Sequence, residues 1–443
     1  MPENKIEPVW VDYKKDIQRA NSGPYEVLAV QNKDNALFRL YMQYETGSWS
    51  NKLLPIAAGY LEFLGTKNKT SEDISTDFYK IASSFNVSAG GENTTISIDG
   101  LQDNFDKAVT MFEDLLRNCQ PDQEALNAYK MNLKKARLNK KQNKGSIMAG
   151  LRSYAMYGPQ NPFNNELTDA ELENLKAEEL VAVLHNLADY KHRVMYYGPK
   201  TAKEIAVNLT KVHPAPASFK ELPPAKKFAQ LQQAKNEVLF AHYDMVQAEV
   251  FWIRNADQYN AAEQPTISLF NEYFGGGMGS IVFQTIRESK ALAYSTYSAF
   301  STPSRKEYRN SAMAYVGTQS DKFKEAVEGM NELLTTLPQS EKALENAKEG
   351  LRKSLATERI TQDGILFSYI GAERMGRDYD IRKNTYEATP KMTFADLKLF
   401  HDKEMSRKPY TYCIVANQDK LKEQDMSELG DYKKLNLEQL FGY

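Results

Sequence analysis

One apolar stripe occurs twice in this chain at a constant spacing. Phe105, Ala108, Val109, Phe112, Leu115 and Leu116 lie at helical intervals, and Phe323, Ala326, Val327, Met330, Leu333 and Leu334 repeat them 218 residues later. The surrounding text agrees, with Asp103-Asn104-Phe105-Asp106-Lys107-Ala108-Val109 against Asp321-Lys322-Phe323-Lys324-Glu325-Ala326-Val327. The next helix keeps the offset, since Ala125, Leu126, Leu133 and Lys135 match Ala343, Leu344, Leu351 and Lys353. Upstream, Glu26-Val27-Leu28 pairs with Glu237-Val238-Leu239 at an offset of 211. Amphipathic helices recur by chance, but several segments in one order at one spacing rarely do. We read a duplicated unit.

Between the copies run His213-Pro214-Ala215-Pro216-Ala217-Ser218 and then Leu222-Pro223-Pro224. Prolines at this density favour an extended connector and cannot continue a helix. The expected domains are therefore 1–218 and 219–443, each within the range of a single core. Each copy opens with two alternating runs, Tyr25 to Val30 with Ala36 to Tyr44, and Val238 to His242 with Ala248 to Asn255. Helices follow at Lys52 to Leu64 and Ile267 to Phe274, then a second helix and a strand hairpin, two long helices and a late strand. The late strands are Arg193 to Tyr197 and Tyr410 to Val415. This order predicts an α+β class: two homologous domains, each an antiparallel sheet with helices packed on it.

Composition removes several function classes. Lys plus Arg is 56 and Asp plus Glu is 58, a formal charge of −2, so no basic excess points to nucleic acid or an anionic membrane. No stretch approaches the ~18 apolar residues of a membrane span. Hydrophobic residues at 42% and charged residues at 26% fit a globular chain rather than a disordered one. Two cysteines, Cys119 and Cys413, can build neither a disulfide framework nor a cysteine zinc site. Met1-Pro2-Glu3-Asn4-Lys5 has no apolar core, so no signal peptide is expected in this chain. A periplasmic location would follow if the chain were cut from a longer secreted precursor, and a cytoplasmic one otherwise.

None of the five histidines, His185, His192, His213, His242 and His401, forms an i, i+4 metal-ligand pair or sits beside a cysteine. They read as surface or helix-end histidines. The most unusual local feature is Gly275-Gly276-Gly277-Met278-Gly279-Ser280. Its backbone N–H groups could face an anion or a bound chain, although it lacks a P-loop's Gly-Lys-Ser/Thr; as a bare turn it would be explained by a need for positive φ. Downstream, Arg287 and Tyr294 are seven residues apart, which on a continuous helix puts them on nearly one face. A permanent cation and a tyrosine, whose ordinary pKa of about 10 keeps its proton on at neutral pH, could polarise a carbonyl. On spacing alone they could equally be a solvated face.

Gly275-Gly276-Gly277-Met278-Gly279-Ser280, then Phe283-Gln284, Arg287-Glu288 and Leu292-Ala293-Tyr294-Ser295, closely resembles the pitrilysin/insulinase family of zinc peptidases. That family includes mitochondrial processing peptidases and the core subunits of the respiratory cytochrome bc1 complex. Leu64-Gly65-Thr66, Asn86-Val87-Ser88-Ala89 and Leu437-Glu438-Gln439-Leu440-Phe441-Gly442 also look like family segments, so the resemblance covers nearly the whole chain from Tyr25. It implies paired homologous α+β domains of the LuxS/processing-peptidase type.

The departure from the family matters as much. Its zinc motif, His-x-x-Glu-His, should precede Leu64-Gly65-Thr66, where the residues are Ile56, Ala57, Ala58, Gly59 and Tyr60. With a short deletion they become Gly59, Tyr60, Leu61, Glu62 and Phe63, which keeps an acid and neither histidine. The family's third ligand, a glutamate, falls near Leu133-Lys134-Lys135. Gly, Phe and Lys cannot hold zinc. The resemblance therefore implies a non-catalytic half or subunit with no cofactor of its own, whose partner is a homologous half carrying the zinc. In that role Arg287 and Tyr294 support catalysis in trans, and Gly275, Gly276, Gly277 and Gly279 bind the peptide substrate. Glu62 is either a relic or a plain surface charge. The alternative is a structural assembly subunit of the same fold with no proteolytic role, for which an Arg/Tyr pair has no chemical use.

Overall fold

The computed structural model describes residues 6–443. Strands β1 (Gln18–Ser22), β2 (Tyr25–Gln31), β3 (Leu37–Tyr44), β4 (Ser84–Ala89), β5 (Thr94–Leu101) and β6 (Arg193–Gly198) form one sheet in the order β1-β2-β6-β3-β5-β4. Strands β7 (Glu237–His242), β8 (Gln247–Gln258), β9 (Ser295–Ser301), β10 (Arg309–Gln319), β11 (Thr411–Ala416) and β12 (Asp431–Lys434) form the other, in the order β12-β7-β11-β8-β10-β9. From β2 and from β7 onward the two sheets run in the same order. They differ at the outer edge, where β1 lies antiparallel to β2 and β12 lies parallel to β7. The α+β class holds, with sheets that are mixed rather than purely antiparallel. In each, the opening strand lies parallel to the late one, β2 beside β6 and β7 beside β11. Such a pairing needs a long crossover, which the intervening helices supply.

Alternation along each central strand sends side chains to two different cores. Val27, Ala29, Val194 and Tyr196 face the helices of their own half, chiefly Phe105–Asn118 and Ala177–Ala188. Leu28, Val30, Met195 and Tyr197 face the opposite way and meet Leu366, Ile370 and Ala372 of the helix Gly364–Arg374, which belongs to the second half. The second sheet mirrors this. Val238, Phe240, Tyr412 and Ile414 pack under their own helices, whereas Leu239, Ala241, Cys413 and Val415 are covered by Ile147, Met148, Leu151 and Ala155 of the helix Lys144–Tyr157 from the first half. Each half thus lends one helix to the other's exposed sheet face.

Charges rim this exchange. Arg305 reaches Glu45 at 2.7 Å and Glu92 at 3.1 Å, Arg374 reaches Glu45 at 2.9 Å, and Arg193 joins Glu26 at 2.7 Å to Glu373 at 2.6 Å. The proline-rich connector is tied down as well: Lys226 N donates to Trp49 O at 2.8 Å and Leu231 N to Met156 O at 2.8 Å. Among the described residues no helix is long and apolar enough to cross a membrane.

Three histidines read as surface or helix-end residues are buried: His192, His213 and His401. His213 does end the helix Ala202–Val212, but inside the fold, where its Nδ1 meets Glu113 Oε1 at 2.6 Å and its Nε2 meets His192 Nε2 at 2.9 Å. His192 Nδ1 donates to Tyr190 O at 2.9 Å, which makes its Nε2 an acceptor. Burial raises the Glu113 carboxyl, but His213 and Arg117 outweigh it and hold it below the ordinary value. Burial and then His213 push His192 down to about 3.

Two outcomes follow from this packing. Leu151→Ala empties a wholly buried site on the second sheet and should cost about 2–5 kcal/mol in urea denaturation, against little change for the exposed Leu399→Ala. Acidification should lower the thermal midpoint. The unfolded His192 takes up its proton near pH ~6.5 while the folded one resists, so stability is lost as pH falls from there toward about 3. Glu113 adds to the loss as pH falls through its depressed value. A His192→Gln variant scanned at several pH values should show a shallower decline.

Candidate functional site

The helix Gln264–Phe274 ends at the glycine cluster, and its last turn faces the outer edge of β9. Asn271 mimics a neighbouring strand there, accepting from Phe300 N at 2.7 Å and donating to Phe300 O at 2.9 Å. Gly275 O accepts from Ser298 N at 3.3 Å. A Cβ on Gly275 would collide with the Ser298 backbone, and one on Gly276 would lie 2.9 Å from Asn271 O. None of these glycines has a positive φ, so the turn explanation is replaced by close packing at Gly275 and Gly276. Gly277 and Gly279 have open space beyond their Cα atoms. Among the described residues the N–H groups of Gly277, Met278 and Gly279 find no acceptor. An approaching extended chain would meet three free donors with no side chain but Met278 in the way.

Arg287 and Tyr294 do not share one helix face. The segment Phe283–Ser289 is π-helical, the chain turns at Ala291 with φ +50°, and Tyr294 stands immediately before β9. A π-helical turn is uncommon and frequent at functional sites. Its Ile286 packs on Gly329, where an added Cβ would lie 3.1 Å from Ile286 Cδ1 and 3.5 Å from Leu292 Cδ1. Arg287 lies over the Phe283 ring at 4.9 Å with Glu288 3.7 Å away, and is about half exposed. Tyr294 is 55% exposed, and its backbone N donates to Gly317 O at 2.9 Å. No hydrogen bond joins the two side chains.

One partner of Tyr294 carries chemical meaning. Gln319 Nε2, at the end of β10, donates to the Tyr294 hydroxyl oxygen. An oxygen that accepts there keeps its own proton free to donate elsewhere. Sequence reasoning missed Gln319, because its proximity to Tyr294 comes from the β9–β10 register across 25 residues. No local motif marks it.

The first half has a matching location with opposite contents. The helix Leu54–Tyr60 runs into the 3₁₀ turn Leu61–Phe63, over which the helix Gln123–Lys141 passes. Tyr129 lays its hydroxyl directly above Gly59, so that a Cβ at 59 would collide with it. Tyr60 stacks on Tyr129 and donates to Asp122 O, and Phe63 packs on the other side of Tyr129. Lys134 and Lys135 point to solvent, Lys134 paired with Glu173. Glu62 is exposed. Among the described residues no three His, Cys, Asp or Glu side chains gather as a metal would require. Zinc needs imidazole, thiolate or carboxylate donors converging on one point. A glycine, a packed phenol and two lysines do not fit it.

The comparisons with known proteins agree on this fold. Two family profiles match the chain, "Insulinase (Peptidase family M16)" over residues 60–170 and "Peptidase M16 inactive domain" over residues 193–351. The chain belongs to peptidase family M16. An uncharacterized zinc protease of Rickettsia felis is 24% identical over 338 residues, 72% of this chain and 76% of that protein. The uncharacterized zinc protease YmxG of Bacillus subtilis is 39% identical over 92 residues, which span about a fifth of each. A peptidase M16 inactive domain from Pseudomonas fluorescens superposes with a TM-score of 0.69 at 16% identity, covering 95% of this chain and 99% of that one. The periplasmic protease PqqL from Escherichia coli gives 0.71 at 12% identity, covering 94% of this chain and 47% of PqqL. This chain therefore spans about half the length of PqqL.

The aromatic filling of the first half is open to test. Gly59→Ala gains helix propensity but forces the Tyr129 ring to move, and Tyr129→Phe removes the offending oxygen. Urea denaturation of the two single variants and the double should give a favourable coupling of about 1–2 kcal/mol. Simple additivity would mean the contact is slack.

Proposed function

We propose that this M16 chain is the non-catalytic half of a two-part zinc metallopeptidase. A homologous half, in the same longer chain or a separate subunit, holds the zinc, and the two close on a peptide in a shared chamber. In this reading the halves 1–218 and 219–443 descend from one duplicated unit, which their shared strand order supports. The half-length match to PqqL supports a missing second half. The observation that carries the proposal is the Tyr294 hydroxyl: exposed, fixed by Gln319, and with its proton free.

The chemistry asked of this chain is electrostatic. Zinc on the partner supplies the activated water. Tyr294 donates its phenolic proton in a hydrogen bond to the scissile carbonyl oxygen, and Arg287 reinforces that donor or holds the adjacent substrate backbone. Gly277 and Gly279 leave the substrate room to reach the free N–H groups of their turn. Neither Tyr294 nor Arg287 needs to ionise. Positive potential aimed where charge develops is worth most in a site that excludes water.

Reconstitution with the zinc-bearing half provides the test, preceded by two controls: the chain alone should hold no stoichiometric zinc by elemental analysis and cleave no unstructured peptide. In the complex, Tyr294→Phe should lower kcat by ~10²–10³ with little change in KM, as for a donor that acts in the transition state. An unchanged kcat in both Tyr294→Phe and Arg287→Ala would leave the structural assembly subunit as the better description.

A further inference from the structure

A recess of about 460 Å³ lies at the opposite end of the second sheet from Tyr294. Tyr243, which follows β7, shares a cleft with Tyr294, whereas Asn236, which precedes β7, lines this recess. The extended strand between them spans about 20 Å. The recess is built by the end of the helix Phe323–Thr335 and by the loop from Met405 to Tyr410 that leads into β11. Its inner wall is formed by the buried Leu334, Met405, Tyr410 and Tyr412. Arg407 and Lys408 line it from the exposed side, and among the described residues neither is ion-paired and no carboxylate joins them in the lining. Arg407 has φ +52°, where glycine or asparagine is the ordinary choice, so the backbone gives no reason for an arginine there.

Two amides complete its character. Trp252 Nε1 donates to Asn331 Oδ1 at 2.8 Å, and the Tyr412 hydroxyl donates to the same oxygen at 3.3 Å. Tyr410 N donates to Asn236 Oδ1 at 3.0 Å. An indole or backbone N–H can only donate, so in both side chains the fold holds the oxygen and leaves the amino group over. Among the described residues neither Nδ2 finds an acceptor. A helix C-terminus beside the recess opposes an anion through its unpaired carbonyls. Here those carbonyls are taken: Glu332 O by Thr336 N at 2.8 Å, Leu333 O by His401 Nε2 at 3.0 Å and Thr335 O by Ser406 Oγ at 2.7 Å. Glu237, next to Asn236, alternates with Val238 and so points with Leu239 to the other face of the sheet. We propose that the recess binds a small polar phosphate monoester, its head held by Arg407, Lys408 and the two Nδ2 groups. Two unpaired cations match a head of about two negative charges, and charge-assisted N–H bonds to phosphate oxygens are the strong kind. A recess of this volume is in the range of small-molecule sites and leaves room for a body beyond the head. The site is independent of the role given to Tyr294.

Isothermal titration calorimetry on the full chain reads the binding directly, with glycerol phosphate as the probe against inorganic phosphate, succinate and glycerol. Glycerol phosphate should bind with a Kd of about 1 mM or tighter, and glycerol should not bind. Arg407→Gln and Lys408→Gln should each weaken glycerol phosphate about tenfold. Lys135→Gln, at an exposed lysine of the first half, should leave its Kd unchanged. Asn331→Asp is the sharper variant. Its carboxylate still accepts from Trp252 and Tyr412, but a negative oxygen replaces the amino group, so binding should be lost. Absence of binding to the unaltered chain overturns the site. So does a Kd that stays unchanged in the Arg407, Lys408 and Asn331 variants, or that weakens equally in Lys135→Gln. Inorganic phosphate binding as tightly as glycerol phosphate would overturn the monoester, and succinate binding more tightly would overturn the phosphate head.

Discussion

Everything in this molecule depends on two sheets that are apolar on both faces. In β6 and β11 nearly every residue is buried, which leaves neither sheet able to exist with one side in water. Each half covers only one face with its own helices. The other face is closed by a helix from the opposite half, Lys144–Tyr157 on the second sheet and Gly364–Arg374 on the first. The two halves are therefore bound together by core packing, and the ion pairs around Glu45, Glu92 and Glu373 act at the margin, where solvent screening keeps their worth small.

This arrangement also positions the elements of the candidate site. A cleft beside Tyr294 has one wall from the start of the helix Lys144–Tyr157 and another from the β7–β8 turn, so the exchanged helix builds part of the candidate site as well as the core. The π-helical turn that carries Arg287 packs through Ile286 on Gly329, with Leu292 alongside, and Asn271 and Gly275 close the edge of β9. Rigid support of this kind is what a side chain needs if it is to stabilise charge without reorganising. The two halves differ around these helices: open glycines follow the helix Gln264–Phe274, whereas Tyr60, Tyr129 and Phe63 pack near Gly59 in the other half.

The sequence by itself determined the class of fold and where its strands, helices and connector fall. Those follow from local pattern: period two in Asn93 to Ile98, period 3.6 in Phe105 to Leu116, prolines between Pro214 and Pro224. The glycine cluster, Arg287 and Tyr294 stand out in the sequence because they lie within one short linear stretch. Tertiary structure alone decided the rest. The parallel pairing of β2 with β6 joins residues some 160 positions apart, the helix exchange joins opposite ends of the chain, and the burial of His192 and His213 depends on Glu113 from another helix. Gln319 reaches Tyr294 only through hairpin register, and the break at Ala291 separates two residues that linear spacing had placed on one face. Contacts that span many residues leave no mark in the local pattern, since hydrophobic periodicity says which face is buried but never against what.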